Sequence, residues 1–223
     1  MVVVKGTGVG RPRASGAAAN RPDARLAVLD AAGELFTGAG YAATTTRAIA
    51  ERAGLRQASL YYHFPAKEDI LAALLAETVR PSLALAAGLV AGEAPVAVRL
   101  WALAYADIGL LGGARHNLGA LYLLPEVGSP NLAHFRAERA ELKAAYGRLV
   151  AAAGFGPESL SVRTDLVFGL VESIAVTRRD NPGLDVLTHS REGADGVVLL
   201  AGLPAPDEAL HAAAHALLAV LTA

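Results

Sequence analysis

The chain contains no cysteine, which excludes disulfide cross-links, cysteine-based zinc sites and redox sensing through thiols. Net charge is close to zero at −1, so the chain lacks the overall cationic excess of a non-specific nucleic-acid binder. Long apolar runs are scarce as well. The most apolar stretches, such as 197–203 and 117–124, are too short to cross about 30 Å of hydrocarbon, and Val2 to Val4 falls far short of a signal-peptide core. These absences predict a cytoplasmic protein with no membrane partner. What is abundant is alanine and leucine at helical spacing, and 223 residues suffice for one large core or two smaller ones. The expected fold class is all-α.

One stretch carries most of the functional information. Residues 44–64 read TTTRAIAERAGLRQASLYYHF, two short helical patterns joined at Ala53-Gly54-Leu55. The hydroxyls of Thr44, Thr45 and Thr46 can cap the first pattern, and Ile49, Ala50 and Ala53 recur at helical spacing. Gly54 can adopt the left-handed backbone that ends a helix abruptly, so the second helix can start near Gln57. Two short helices about a glycine turn are the geometry of a helix-turn-helix, whose second helix enters the DNA major groove.

At 100° per residue Leu60 and Phe64 share the anchoring side of that second helix, while Ala58 and Tyr62 lie roughly opposite, flanked by Ser59, Tyr61 and His63. Ser59 can meet a base edge or a phosphate, Tyr62 a thymine methyl, and Gln57 an adenine. Tyr61 and His63 can donate to phosphate oxygens. Thr45, Arg47, Arg56 and Lys67 complete the expected DNA-binding set, with Arg47 and Lys67 as phosphate-neutralising charges. The competing reading is that the three rings are merely half-buried on a small helical domain. Charge distribution favours DNA: residues 1–69 carry 9 Lys and Arg against 6 Asp and Glu, and residues 70–223 carry 11 against 15.

With its DAAGELF, GYAATTTRAIAERAG and LYYHFPAKEDIL segments, the stretch from about Asp23 to Leu74 resembles the N-terminal DNA-binding domain of TetR-family bacterial regulators. That resemblance implies a three-helix helix-turn-helix domain joined to a larger helical domain for ligand binding and dimerisation. It implies a homodimer that represses transcription from a palindromic double-stranded DNA operator and responds to a small-molecule effector. Positions matching the family's phosphate contacts are Tyr61, His63 and Lys67, and 56–62 is the base-reading segment. Two positions depart from the family's pattern: Arg56 and Ala66 stand where Ser is common, so a helix cap is missing at each.

The expected organisation is a flexible basic arm over 1–21, the DNA-binding domain over 22–72 and the ligand-binding and dimerisation domain over 73–223. Leu26, Leu29, Ala32 and Phe36 form the stripe of a first, bracing helix, with Tyr41 beneath it. Pro81 should kink or end the connector that starts near Ala66. Further helices are expected near 95–111, 116–124, 130–153, 158–179, 186–201 and 206–222. The 158–179 face with Val162 and Leu166, and the last helix with Leu210, Ala214, Leu217, Leu218 and Leu221, are candidates for a four-helix dimer interface or simply internal core.

Trp101, Tyr105, Tyr122, Phe135 and Phe168 are the candidate ligand-binding residues for an apolar or aromatic effector, with His116, Asn117, His134 or Arg178 as polar partners. Core aromatics have the same signature, so both readings stand. The rival functional class is an all-helical metal-assisted enzyme or small-molecule-binding protein. His211 and His215 share a helix face, but Ala212, Ala213 and Ala214 fill the interval where a zincin-like hydrolase needs its glutamate. No nucleophile motif, phosphate loop or dinucleotide fingerprint is present. No catalytic residue, metal ligand or cofactor is therefore expected.

Overall fold

The computed structural model describes residues 22–222, so the expected basic arm lies outside the described residues. Among these, the elements are α1 (Pro22–Gly38), α2 (Thr46–Arg52), α3 (Gln57–His63), α4 (Lys67–Glu77), α5 (Arg80–Ala91), α6 (Val96–Gly113), α7 (Ala133–Ala152), α8 (Pro157–Glu172), α9 (Ile174–Asp180), α10 (Val186–Leu200) and α11 (Glu208–Leu221), with no strand.

Helices α1 to α4 enclose one end of the core. Val28, Leu29, Ala32 and Phe36 of α1 meet Ile49, Leu60, Phe64 and Ile70, all buried. Leu26, expected on that stripe, is 59% exposed, and Val28 takes the inward position in its place. Tyr41 packs edge-on against Phe36 at 4.9 Å between centroids. Burial and the acidic groups around it push the Tyr41 phenol up to about 12.

The connector breaks just before Pro81. Helix α4 ends at Glu77, Thr78 and Val79 form the joint, and α5 starts at Arg80 with the proline in its first turn. The cause is local: a proline has no N–H for the preceding turn and its ring clashes with the carbonyl four residues earlier. Two stretches, Lys67–Ala91 and Val96–Gly113, are long and apolar enough by composition to cross a membrane, and about half of each one's most apolar part is buried inside the fold. This corrects the expectation that no stretch has that length and apolarity.

Helix α6 is the central element, packed by α5, α7, α8, α9, α10 and α11. Leu100, Trp101, Ala102, Leu103 and Ala104 in succession have no exposed surface, as required of a helix surrounded on every side. The helix expected over 116–124 is instead a chain of 3-10 turns, Leu118–Leu123, Pro125–Gly128 and Pro130–Leu132. Pro125 and Pro130 each restart the chain there. Ser173 divides the expected helix 158–179 into α8 and α9, with its hydroxyl bonded back to the Leu170 carbonyl at 2.6 Å.

For the last helix, packing follows the internal-core reading along most of its length. Ala214 is buried, Leu210, Leu217 and Leu218 pack on the core, and α11 lies against α6 of its own chain. Its apolar stripe is thus used internally except at the end, where Leu221 and the neighbouring Val220 are exposed. The large apolar side chains left exposed elsewhere in this region are Leu123 in the 3-10 turns, Val162 and Leu166 on α8, Val176 on α9, and Leu187 and Leu199 on α10.

Candidate functional site

The helix-turn-helix follows from a few local contacts. Thr45 caps α2 by accepting from the Ala48 amide at 3.1 Å. Gly54 has φ +68°, a left-handed angle that a side chain would oppose, and Leu55 donates to the Ala50 carbonyl across the turn at 2.8 Å. Thr44 faces inward, its hydroxyl donating to the Gly40 carbonyl at 2.8 Å. Arg56 and Ala66 stand at the N-cap positions of α3 and α4, and neither supplies a side-chain cap. At α4 the Asp69 carboxylate accepts from the Ala66 amide at 2.8 Å, supplying the reciprocal half of a capping box.

Leu60 and Phe64 anchor α3, and its opposite side is open. Thr45, Arg47, Arg56, Gln57, Tyr61 and Tyr62 are exposed, Ser59 and His63 are half-buried, and Tyr62 stands out at 67% exposure. Eight of the nine residues expected to bind DNA therefore border one surface around α3. Tyr61 is oriented by Thr46, hydroxyl to hydroxyl at 3.0 Å, and the Gln57 amide approaches it at 3.5 Å. The Tyr62 and His63 rings meet edge to face at 5.2 Å.

Lys67 is turned differently. Its ammonium donates to the Tyr41 and Thr44 carbonyls at 2.8 and 2.9 Å and lies 4.1 Å from the Tyr41 ring centroid. The lysine ties the start of α4 to the loop before α2, so the charge expected to face a phosphate is committed to the protein first. Two of its three N–H donors are occupied.

The five aromatic residues assigned to a ligand do not converge on one cavity. Trp101 and Tyr105 stack at 4.8 Å against α11, next to His211 and His215. The Trp101 indole donates to Asp195 at 2.6 Å. Tyr122 and Phe135 do line a cavity of about 560 Å³ between the 3-10 turns, α7, α8 and α9. Phe168 sits behind that wall, where the Arg139 guanidinium lies 5.1 Å from its ring and 5.6 Å from that of Tyr122. The scatter has a physical source: four elements supply interchangeable apolar rings, and only tertiary packing decides which of them borders empty space.

None of the four expected polar partners lines that cavity. His116 bonds to Asp30 of α1 at 3.0 Å, and Arg115 reaches the same carboxylate at 2.6 Å. The His116 bond, ahead of the Arg115 charge, holds the Asp30 carboxyl below its usual range. Asn117 donates to the Ala175 carbonyl, His134 pairs with Glu138, and Arg178 closes the end of α6 through the Leu111 and Ala114 carbonyls. The polar lining instead comprises Arg136, Arg139, Lys143, Glu172, Ser173 and Arg179. A signal for it was present in the sequence: Arg136, Arg139 and Lys143 are spaced i, i+3, i+7 and share one face of a helix.

The cavity wall is mechanically linked to the connector. Tyr122 donates its hydroxyl to Thr78 at 2.6 Å, at the α4–α5 joint. Burial raises its pKa, so it remains a donor at neutral pH. The same 3-10 turn packs on α1 and α4. Below the joint, Asp107 of α6 is fully enclosed and accepts from Ser82 of α5 at 2.8 Å and Tyr146 of α7 at 3.0 Å.

The histidine pair is not arranged as a metal site. His211 bonds to Asp195 through Nε2 at 2.8 Å and faces Arg191 with Nδ1, while His215 sits edge-on to Trp101 and Tyr105. Among the described residues no three His, Asp or Glu side chains are grouped to hold a metal ion.

Comparison with known proteins agrees with this architecture. The family model described as bacterial regulatory proteins, tetR family, matches residues 28–74. The HTH-type transcriptional repressor KstR2 of Rhodococcus jostii (strain RHA1) is 45% identical over 51 residues, and the match spans 23% of this chain and 25% of that relative's length. The crystal structure of Mycobacterium smegmatis AmtR is similar throughout, with 44% identity, 90% of this chain and 97% of that one covered, and a TM-score of 0.80. A TetR-family transcriptional regulator from Bordetella parapertussis shares the fold at 18% identity, covering 81% and 95% of the two chains with a TM-score of 0.67. An exposed reading helix on a glycine turn, an all-helical body and likeness along nearly the whole chain lead to one conclusion: the protein belongs to the TetR family of bacterial regulatory proteins, which regulate transcription and are not enzymes.

Proposed function

We propose that this regulator is a cytoplasmic repressor that binds a palindromic DNA operator as a homodimer and releases it when a small molecule enters the α7–α9 cavity. The observation carrying the proposal is the exposed face of α3, where Gln57, Tyr61 and Tyr62 stand clear of the core with Arg47, Arg56 and Thr45 around them. In this reading Gln57, Ser59 and Tyr62 meet base edges, and Arg47, Arg56, Tyr61 and His63 position the phosphates. Lys67 holds the loop that presents α2 and offers its remaining donor to a phosphate.

Residues 22–72 serve DNA and 73–223 serve effector binding and dimerisation, with residues 1–21 as a basic arm. Helix α4 crosses the boundary at 72 without interruption, which suits a rigid connector. Dimerisation is supported by α8 and α10, which pack together and leave Val162, Leu166, Leu187 and Leu199 exposed. Two helices from each protomer would make a four-helix interface.

Regulation follows from the joint. A ligand that displaces Tyr122 breaks its bond to Thr78 and shifts the turn that also touches α1. The reading heads then leave the separation of about 34 to 36 Å that successive major grooves require. By linkage, operator DNA weakens effector binding by the same factor. Fluorescence anisotropy with an operator duplex tests the reading: Tyr61→Ala and Arg47→Ala should each weaken binding, and unchanged affinity in both would show that α3 is not the reading helix.

A further inference from the structure

The effector's chemistry is written in the cavity wall. Tyr122, Leu123, Val127, Phe135 and Val176 supply an apolar lining, but four cations, Arg136, Arg139, Lys143 and Arg179, border the same space against a single carboxylate, Glu172. A neutral apolar guest gives those cations nothing. Lys143 and Arg179 have partners outside the lining, Asp165 at 2.6 Å and Asp180 at 2.9 Å. The two remaining arginines are one turn apart on α7.

Arg139 is held in a two-pronged bond to Glu172 through Nε and Nη2. Burial opposes its charge, but the carboxylate more than offsets this and its pKa is raised. Its Nη1 has no hydrogen-bond acceptor among the described residues. Arg136, by contrast, has no carboxylate partner among them. Its Nη1 donates to the Val127 and Ser129 carbonyls, both at 2.6 Å, which fixes the guanidinium at the cavity edge with other donors open. Two oriented guanidinium forks beside an apolar recess are a recognition site for a compact planar anion attached to an apolar body.

We infer that the cavity takes a small molecule with a carboxylate head on Arg136 and Arg139 and an apolar body among Tyr122, Phe135 and Val176. This rests on the reading of the cavity as the effector site, and it adds a charged head to the apolar or aromatic effector expected from sequence. The test uses full-length protein and calorimetric titration with decanoate, decan-1-ol and decyltrimethylammonium at fixed ionic strength. Decanoate should bind more tightly than the alcohol by about tenfold or more, as expected for hydrogen bonds to a charged group, and the ammonium should bind worst.

Arg136→Gln alters an exposed side chain, and the double variant Arg139→Met with Glu172→Leu removes both members of the pair without leaving an unpaired charge. Each should reduce the preference for decanoate over decanol while leaving decanol binding in place. Equal binding of acid and alcohol, a ratio unchanged in both variants, or no binding by any of the three would overturn the inference. Operator anisotropy separates it from the reading beneath it. A carboxylate preference without any change in operator affinity would sustain the anion site and refute its regulatory role.

Discussion

Asp107 offers a quantitative test of the core that supports the connector. Its carboxyl is fully enclosed, and burial pushes its pKa from 3.8 up to about 7, although the Ser82 and Tyr146 bonds pull the other way. The folded state therefore holds this proton more tightly than the unfolded chain does. Stability is unaffected below about pH 4, declines as pH rises from there to about 7, and carries the full penalty above that. A displacement of this size corresponds to roughly 4 kcal/mol, at about 1.4 kcal/mol per unit. Asp107→Asn stays neutral throughout, keeps the Ser82 bond and turns the Tyr146 bond around. Urea unfolding of both proteins from pH 4 to 8.5 should show the variant near parity or slightly weaker at the acid end and more stable by about 2–4 kcal/mol at the alkaline end. Taking the difference between the two proteins cancels titrations they share. Parallel stability curves across that range would refute the assignment of a buried, protonated carboxyl joining α5, α6 and α7.

Lys67→Ala should lower both stability, by about 1–3 kcal/mol for the lost carbonyl bonds, and operator affinity. Arg47→Ala should lower affinity alone and reduce the salt slope by about one; thermal melts beside anisotropy distinguish the two. Tyr62→Ala should redistribute base preference at one operator position, read by competition among single-base variants. Tyr122→Phe removes the hydroxyl given to Thr78 and should weaken the effector's effect on operator release, read as a smaller change in operator anisotropy on adding effector.

The reading head was legible because its determinants are local. Gly54 sets the turn, Thr45 caps α2, and Ile49, Leu60 and Phe64 repeat at helical spacing into one core. Pro81 marked the connector's break for the same reason. The cavity was not legible. Helix α6 is buried on every side between Leu100 and Ala104, so periodicity carries no direction there, and Trp101 finds Asp195 94 residues away. Lys67 shows the same limit: a surface lysine beside a reading helix suggests phosphate, whereas the carbonyls that hold it lie 26 and 23 residues upstream. The cationic stripe on α7 could be read from its spacing, but only packing reveals that it faces α8 and α9 rather than water.

The most direct test of the central claim is selection of bound duplexes from a random DNA pool by the full-length protein, at two salt concentrations, followed by sequencing. Operator binding by a dimer predicts an enriched inverted repeat whose half-sites lie about 10 to 10.5 base pairs apart centre to centre, or a multiple of that, and whose enrichment falls as salt rises. Recovery of unrelated sequences, with weak binding at both salt concentrations, would contradict it.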